Sequence, residues 1–302
     1  MRRLTRMMKM AGSGERLREV LRRLARRGRR LAGGSRSFSG GDMPVFFIVG
    51  RARSGTTWLR SILNSHPEIL CWGEGRFFER SFALEDVEES QLNNIPPSSL
   101  YGAIMQSKQL KEWVDRSVWA RGKDTDDHLA GLTRAAIDYF LAEQLSGTGK
   151  RMIGDKTPFV SAEVLEEIGV IYPEARVIHI IRDGRDVAVS MIHHMWSYAR
   201  SEGGIYDLKP EELEKRHAYR EGLVPPSESL FTEERLAGIA SAWSTEVGRA
   251  AGDGPALLGG NYTEVRYEDL LQRPVEETQR LLKFLGAEGN KATAGSGSPC
   301  VV

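Results

Sequence analysis

Cysteine is nearly missing from this chain: Cys71 and Cys300 are its only two. No disulfide framework can hold it, so a reducing, cytoplasmic setting is expected. No cysteine or histidine stands at a zinc-ligand spacing, which excludes a zinc-dependent fold of the finger or ribbon type. Long apolar runs are missing too. The longest, Val45 to Val49 and Val177 to Ile181 with His179 inside it, fall far below the ~20 residues of a membrane helix, so no transmembrane segment is expected. An excess of one charge is also missing, since 42 basic residues face 41 acidic ones.

That balance is uneven along the chain. Residues 1 to 40 hold twelve Arg and one Lys against Glu15 and Glu19, a local +11 that leaves −10 on the rest. The basicity therefore belongs to an appendage, and binding to a specific nucleic acid is not expected of the domain. Leu17, Val20, Leu21, Leu24 and Leu31 fall on near-helical spacing among the arginines. A weak contact with an anionic surface is one reading of that segment, an Arg-rich targeting leader another, and a solvated extension the plainest. The Gly/Ser-rich stretch Gly33 to Gly41 closes it, which divides the chain into a flexible extension (1–41), a domain (42–286) and a Gly/Ser-rich tail (287–302).

What the domain does have is a glycine loop between an apolar run and a helical pattern. Val45 to Val49 is short, β-branched and aromatic, as a buried strand is. GRARSGTTW follows at Gly50 to Trp58, and Thr56 to Leu63 sets Trp58, Leu59, Ile62 and Leu63 on one side of a helix that His66-Pro67 ends. A second unit repeats the design: Ala175 to Ile181 reads as a strand, Arg182-Asp183-Gly184-Arg185 as a loop and Asp186 to Trp196 as a helix. Tyr262 to Tyr267 reads as another strand, and Pro274 opens a helix that Gly286 stops. Asp126 to Leu145 reads as a packing helix through Leu129, Leu132, Ala136, Ile137, Phe140 and Leu141, and 198–235 as a mobile polar excursion. Alternating strands and helices predict an α/β fold, a three-layer sandwich around a central parallel sheet with P-loop-like nucleotide-binding topology.

The loop matches the P-loop pattern at Gly50, Gly55 and Thr57 but carries Thr56 where the phosphate-gripping lysine belongs. Such a loop still aims backbone N–H groups and a helix dipole at an anion. Arg53 brings a planar fork suited to an oxyanion, and a transferring group less charged than the end of ATP fits better. Arg182, with Ser190 eight residues on, forms a second candidate anion clamp; the plainer reading pairs Arg182 with Asp183 or Asp186. In parallel α/β sheets ligands bind at the carboxyl ends of strands, so both sites can face one ligand with two separated anionic groups.

FIVGRARSGTTW at Phe47 to Trp58 and IIRDGRDVAVSMI at Ile180 to Ile192 resemble the 5′-phosphosulfate and 3′-phosphate motifs of sulfotransferases that use 3′-phosphoadenosine-5′-phosphosulfate. GDKTP at Gly154 to Pro158 and RYEDLLQRP at Arg266 to Pro274 strengthen the likeness. Arg53 to Arg76 is similar to the corresponding stretch of tyrosylprotein sulfotransferases and bacterial relatives. The resemblance implies that the first loop, through Arg53, Ser54, Gly55, Thr56 and Thr57, holds the phosphosulfate and that Arg182 and Ser190 hold the 3′-phosphate. It also implies that Trp58 flanks the adenine, that Tyr267 touches the donor, and that Lys156 and Arg53 stabilise the leaving phosphate. Glu74 falls where the family places a catalytic glutamate; Glu79 and His128 are the weaker competitors, and the plainer reading of Glu74 is a loop carboxylate paired with Arg76.

The expected reaction is in-line sulfuryl transfer to a hydroxyl acceptor of unknown class, with no metal required, because the transferred group lacks the adjacent phosphates that kinases must neutralise. Trp72, Phe77, Phe78, Trp113 and Trp119 suit an apolar acceptor. Two alternatives stand beside it. One is an ATP- and magnesium-dependent P-loop phosphotransferase with Asp183 as the metal-holding acid. The other is a catalytically silent nucleotide-binding or scaffold protein, because GAEGNKATAGSGSPCVV at Gly286 to Val302 stands where the family has a segment closing over the nucleotide.

Overall fold

The computed structural model describes residues 43–78, 99–158, 160–224 and 229–287. The basic extension, Glu79 and the tail beyond 287 lie outside the described residues.

Among these residues five strands form one parallel sheet. They are β1 (Val45–Val49), β2 (Ile69–Gly73), β3 (Met152–Thr157), β4 (Arg176–Ile181) and β5 (Tyr262–Arg266), in the order β2-β3-β1-β4-β5. Every pairing is parallel, so all five carboxyl ends open at one edge. β1, the strand that feeds the glycine loop, lies between β3 and β4, with Ile48 beside Lys156 and Val49 beside both Thr157 and His179. Loops leaving β1, β3 and β4 must therefore meet.

Strand alternation sends successive side chains to opposite faces. Phe46 and Ile48 pack with Leu59, Leu63, Leu281 and Leu282, residues of α1 (Thr56–Asn64) and of a helix over Pro274–Leu285. Phe47 and Val49 pack on the other side with Ile137, Leu165, Ile168, Val247 and Ala250. These come from helices over Thr125–Leu145, Ala162–Ile171 and Glu233–Leu258. The three-layer α/β sandwich expected from the sequence is the one observed. Gly154 makes a close approach here: a Cβ on it would lie 2.2 Å from the Phe46 ring.

Two expectations are corrected. The Thr125–Leu145 helix buries Leu129, Ala130, Thr133, Ile137 and Leu141, while Leu132 and Phe140 are about half exposed. Only part of the packing face read from the sequence is inward. The segment 198–235, read as a mobile excursion, carries a helix over Pro210–Arg220. Arg216 pairs with Glu202 of the preceding turn, and Glu212 pairs with Arg235, which ties this helix to the Glu233–Leu258 helix. Residues 225–228, with Pro225-Pro226, lie outside the described residues.

Candidate active site

The loop after β1 turns twice through the left-handed region, at Arg53 (φ 74°) and at Gly55 (φ 93°). Alternating conformations of this kind bring backbone amides to one side of the chain, the geometry of an anion-binding concavity. α1 begins at Thr56 with no side chain capping its first turn, so its leading N–H groups are open to a ligand. Gly50 and Gly55 admit no side chain: a Cβ would lie 2.8 Å from the Ile180 carbonyl oxygen in the first case and 2.5 Å from the Tyr267 ring in the second. Ser54 is fully buried and its Oγ has no hydrogen-bond partner, a costly state for a hydroxyl.

The second motif sits against the first. Arg182, leaving β4, donates from Nη1 to the Arg53 carbonyl at 3.2 Å, and Arg53 Nε donates to Ser190 Oγ at 3.0 Å. Ser190 lies on α2 (Gly184–Ser197). The Arg182 guanidinium lies 4.5 Å above the Tyr267 ring, and that ring meets Trp58 edge-on with centroids 5.2 Å apart. Arg182, Tyr267 and Trp58 thus form one continuous wall beside the loop. Arg182 also approaches Asp186 at 3.6 Å, as its plainer reading held, yet its Nε is buried without a partner. Two orphaned polar groups, Ser54 Oγ and Arg182 Nε, together with the glycine cradle fit a ligand bearing two anionic groups.

Asp183 is otherwise engaged. Its carboxylate caps the α2 amide of Arg185 at 2.9 Å and pairs with the Arg185 side chain at 2.6 Å, which holds its pKa down at about 2. This is not the free, ligand-facing acid that the phosphotransferase alternative requires. The Asp183 N–H donates to Glu268 at 2.9 Å, so the Arg266 to Pro274 motif braces the Arg182 loop from behind.

The third component comes from β2 and β3. Lys156 is 3% exposed and reaches Glu74, with Nζ 2.5 Å from Oε1. The partner foreseen for Glu74 in its plainer reading, Arg76, is not the one observed here. Glu74 (φ 64°) and Arg76 (φ 51°) are both left-handed. With Arg53 they are the only such non-glycine residues among those described, and strain of this kind clusters at functional sites. Gly73 leaves room for the lysine, since a Cβ there would lie 2.9 Å from Lys156 Cε. Beneath the turn, buried Asp155 accepts from the Gly75 N–H at 3.0 Å, and burial pushes its pKa up to about 7.

The residues singled out in the sequence thus fall at one edge of the sheet. The competitor His128 is engaged with the Ala120 carbonyl at 2.9 Å. Phe77 and Phe78 belong to the core, whereas Trp72, Trp113 and Trp119 are exposed. Sequence reasoning missed Asp155, Glu268 and Glu246, the last paired with Arg51 of the loop. For Asp155 a signal existed: an acid next to Lys156 within the Gly154 to Pro158 motif.

The model of a family described as "Sulfotransferase family" matches residues 44–290. A Danio rerio protein-tyrosine sulfotransferase 1 is 29% identical over 259 residues, covering 83% of this chain and 55% of the relative. A Gallus gallus protein-tyrosine sulfotransferase 2 is 25% identical over 247 residues, covering 81% and 52%. The chain spans about half the length of these curated relatives. Among solved structures, a sulfotransferase from Alicyclobacillus acidocaldarius aligns with 85% of this chain and 87% of its own at 18% identity and a TM-score of 0.45.

Proposed function

The chain belongs to the sulfotransferase family, and from that membership we propose that it transfers a sulfuryl group from 3′-phosphoadenosine-5′-phosphosulfate to a hydroxyl acceptor. The observation that carries the reading is the direct joining of the two anion motifs. Arg53 bonds to Ser190 through its side chain and to Arg182 through its carbonyl, so a single nucleotide can occupy both.

In this reading the amides of the loop, with Ser54, Thr56 and Thr57, hold the 5′-phosphosulfate, and Arg182 with Ser190 holds the 3′-phosphate. The Trp58–Tyr267 wall borders the adenine. Glu74 takes the proton of the acceptor hydroxyl as its oxygen bonds to sulfur. The bridging S–O bond on the opposite side breaks, and its electron pair leaves with adenosine 3′,5′-bisphosphate. Arg53 and Lys156 stabilise the charge that develops on that phosphate. An ammonium has three donor hydrogens, so Lys156 can keep Glu74 in place while it also serves the leaving group. A positioned base of this kind typically contributes ~10²–10⁴-fold.

The test is transfer of labelled sulfate from the donor to a panel of hydroxyl acceptors in the presence of a chelator, beside an ATP and magnesium arm. Sulfate transfer without metal supports the reading; phosphoryl transfer from ATP alone overturns it. Glu74→Gln is expected to lower turnover by ~10²-fold or more while the affinity for adenosine 3′,5′-bisphosphate, measured by calorimetry, stays unchanged.

A further inference from the structure

The turn that carries Glu74 is an improbable piece of backbone. Two non-glycine residues, Glu74 and Arg76, occupy the left-handed region on either side of Gly75, a conformation that persists only when its surroundings over-determine it. Gly75 itself has no room for a side chain, because a Cβ would lie 2.6 Å from the Phe77 ring. Three hydrogen bonds hold the segment. The Glu74 N–H donates to the Lys156 carbonyl at 2.7 Å, and the Arg76 carbonyl accepts from the Leu100 N–H at 2.9 Å. At the centre, the Gly75 N–H donates to Asp155 Oδ1 at 3.0 Å.

That central acceptor is a carboxylate, 4% exposed, where a neutral acceptor would avoid the cost of burying a charge. Asp155 and Lys156 are consecutive on β3, so they project to opposite faces of the sheet. One strand thereby fixes both ends of the Glu74 contact: Lys156 meets the carboxylate directly, and Asp155 holds the backbone behind it. The titratable and charged groups acting on Asp155 are Lys156 on its own strand, Glu74 on the turn and the Cys71 thiol on β2.

We propose that Asp155 is a positioning residue that pins the strained Glu74–Gly75–Arg76 turn through the Gly75 amide and so aims the Glu74 carboxylate at the reacting hydroxyl. The proposal rests on the reading of Glu74 as the base. The ionised carboxylate makes a charge-assisted bond to Gly75, stronger than the one a neutral group makes. Because burial lifts the ionisation of Asp155 to about pH 7, the pin is strongest above that pH and weakens below it.

The test uses the full chain with Asp155→Ala and Asp155→Asn, read in two ways. Amide hydrogen exchange at Gly75 reports the pin without any substrate. Donor hydrolysis, with water as acceptor, reports kcat and KM against pH. Asp155→Ala is expected to speed Gly75 exchange by ~10-fold or more and to lower kcat by ~10- to 10²-fold, with KM for the donor within about twofold. Asp155→Asn, which keeps an acceptor at the same place, is expected to retain exchange protection and kcat to within about fivefold. Its kcat should also lose the acid limb centred near pH 7. Wild-type exchange and kcat in Asp155→Ala overturn the proposal, as does an unchanged acid limb in Asp155→Asn. If the alanine variant does not fold, the pH profile of the asparagine variant decides. Glu74→Gln, run alongside, separates the two claims. An inactive Glu74→Gln beside wild-type Asp155 variants removes only the positioning role, whereas an active Glu74→Gln removes the base and the positioning role with it.

Discussion

Arg182 donates to the Arg53 carbonyl and stacks on Tyr267, and its buried Nε has no partner. If that Nε serves a 3′-phosphate, Arg182→Ala removes a charge-assisted bond of ~1.5–3 kcal/mol. Binding of adenosine 3′,5′-bisphosphate should weaken roughly ten- to a hundredfold while 5′-AMP is little affected, as calorimetry with both nucleotides would show. Equal weakening of the two places Arg182 elsewhere. Asp155 offers a second prediction, about stability. Burial raises its pKa in the fold to about 7 from the ordinary 3.8 of an aspartate, so between those values the native state holds a proton that the unfolded chain has released. Stability therefore falls as pH rises between those values, and the cost is fully expressed above pH 7. Asp155→Asn should stabilise the fold at pH 8 by up to roughly 4 kcal/mol relative to its effect at pH 4. Urea unfolding at the two pH values checks this, and the same effect at both contradicts it.

Among the elements, β2 and β3 work as a pair: Gly73 lies in register with Lys156, and its missing Cβ is the space through which the lysine reaches Glu74. Gly73 has ordinary strand dihedrals, so Gly73→Ala adds a contact without backbone strain. The lysine stem can bend away, so the thermal midpoint should shift by no more than a few degrees while turnover falls about tenfold or more. A large loss of stability with turnover kept per folded molecule would show that Gly73 serves packing instead. β1 and β4 were legible in the sequence because each is an apolar run leading straight into a loop. β2 and β3 were not, since β3 interrupts its apolar run with Gly154-Asp155-Lys156 and β2 follows the His66-Pro67 turn almost at once. The long helix over Thr125–Leu145 misled for a different reason. Apolar residues spread over adjacent rows, and periodicity cannot say which of them meet a neighbour; packing selected Leu129, Ala130, Thr133, Ile137 and Leu141. The candidate site residues could be singled out because loops at strand ends carry short motifs in fixed order. The turn geometry at Glu74 and the support from Asp155 depend on pairing between distant strands, which no local pattern encodes.

For the whole molecule, the loops of β1 and β4, more than a hundred residues apart in the chain, must act as one site if one nucleotide is to fill both, and they can because their strands are neighbours. A ligand that bridges them stabilises the fold by mass action, about 2.7 kcal/mol at a hundred times its dissociation constant. Adenosine 3′,5′-bisphosphate at that level should raise the thermal midpoint by roughly 5–10 °C, and Arg182→Ala at the same concentration should lose most of that rise. The most direct measurement is a calorimetric titration of the full chain with adenosine 3′,5′-bisphosphate, compared with 5′-AMP and 3′-AMP under the same conditions. A single site per chain that binds the bisphosphate at least tenfold more tightly than either monophosphate is expected. Equal affinity for all three nucleotides, or no heat with the bisphosphate, would contradict it.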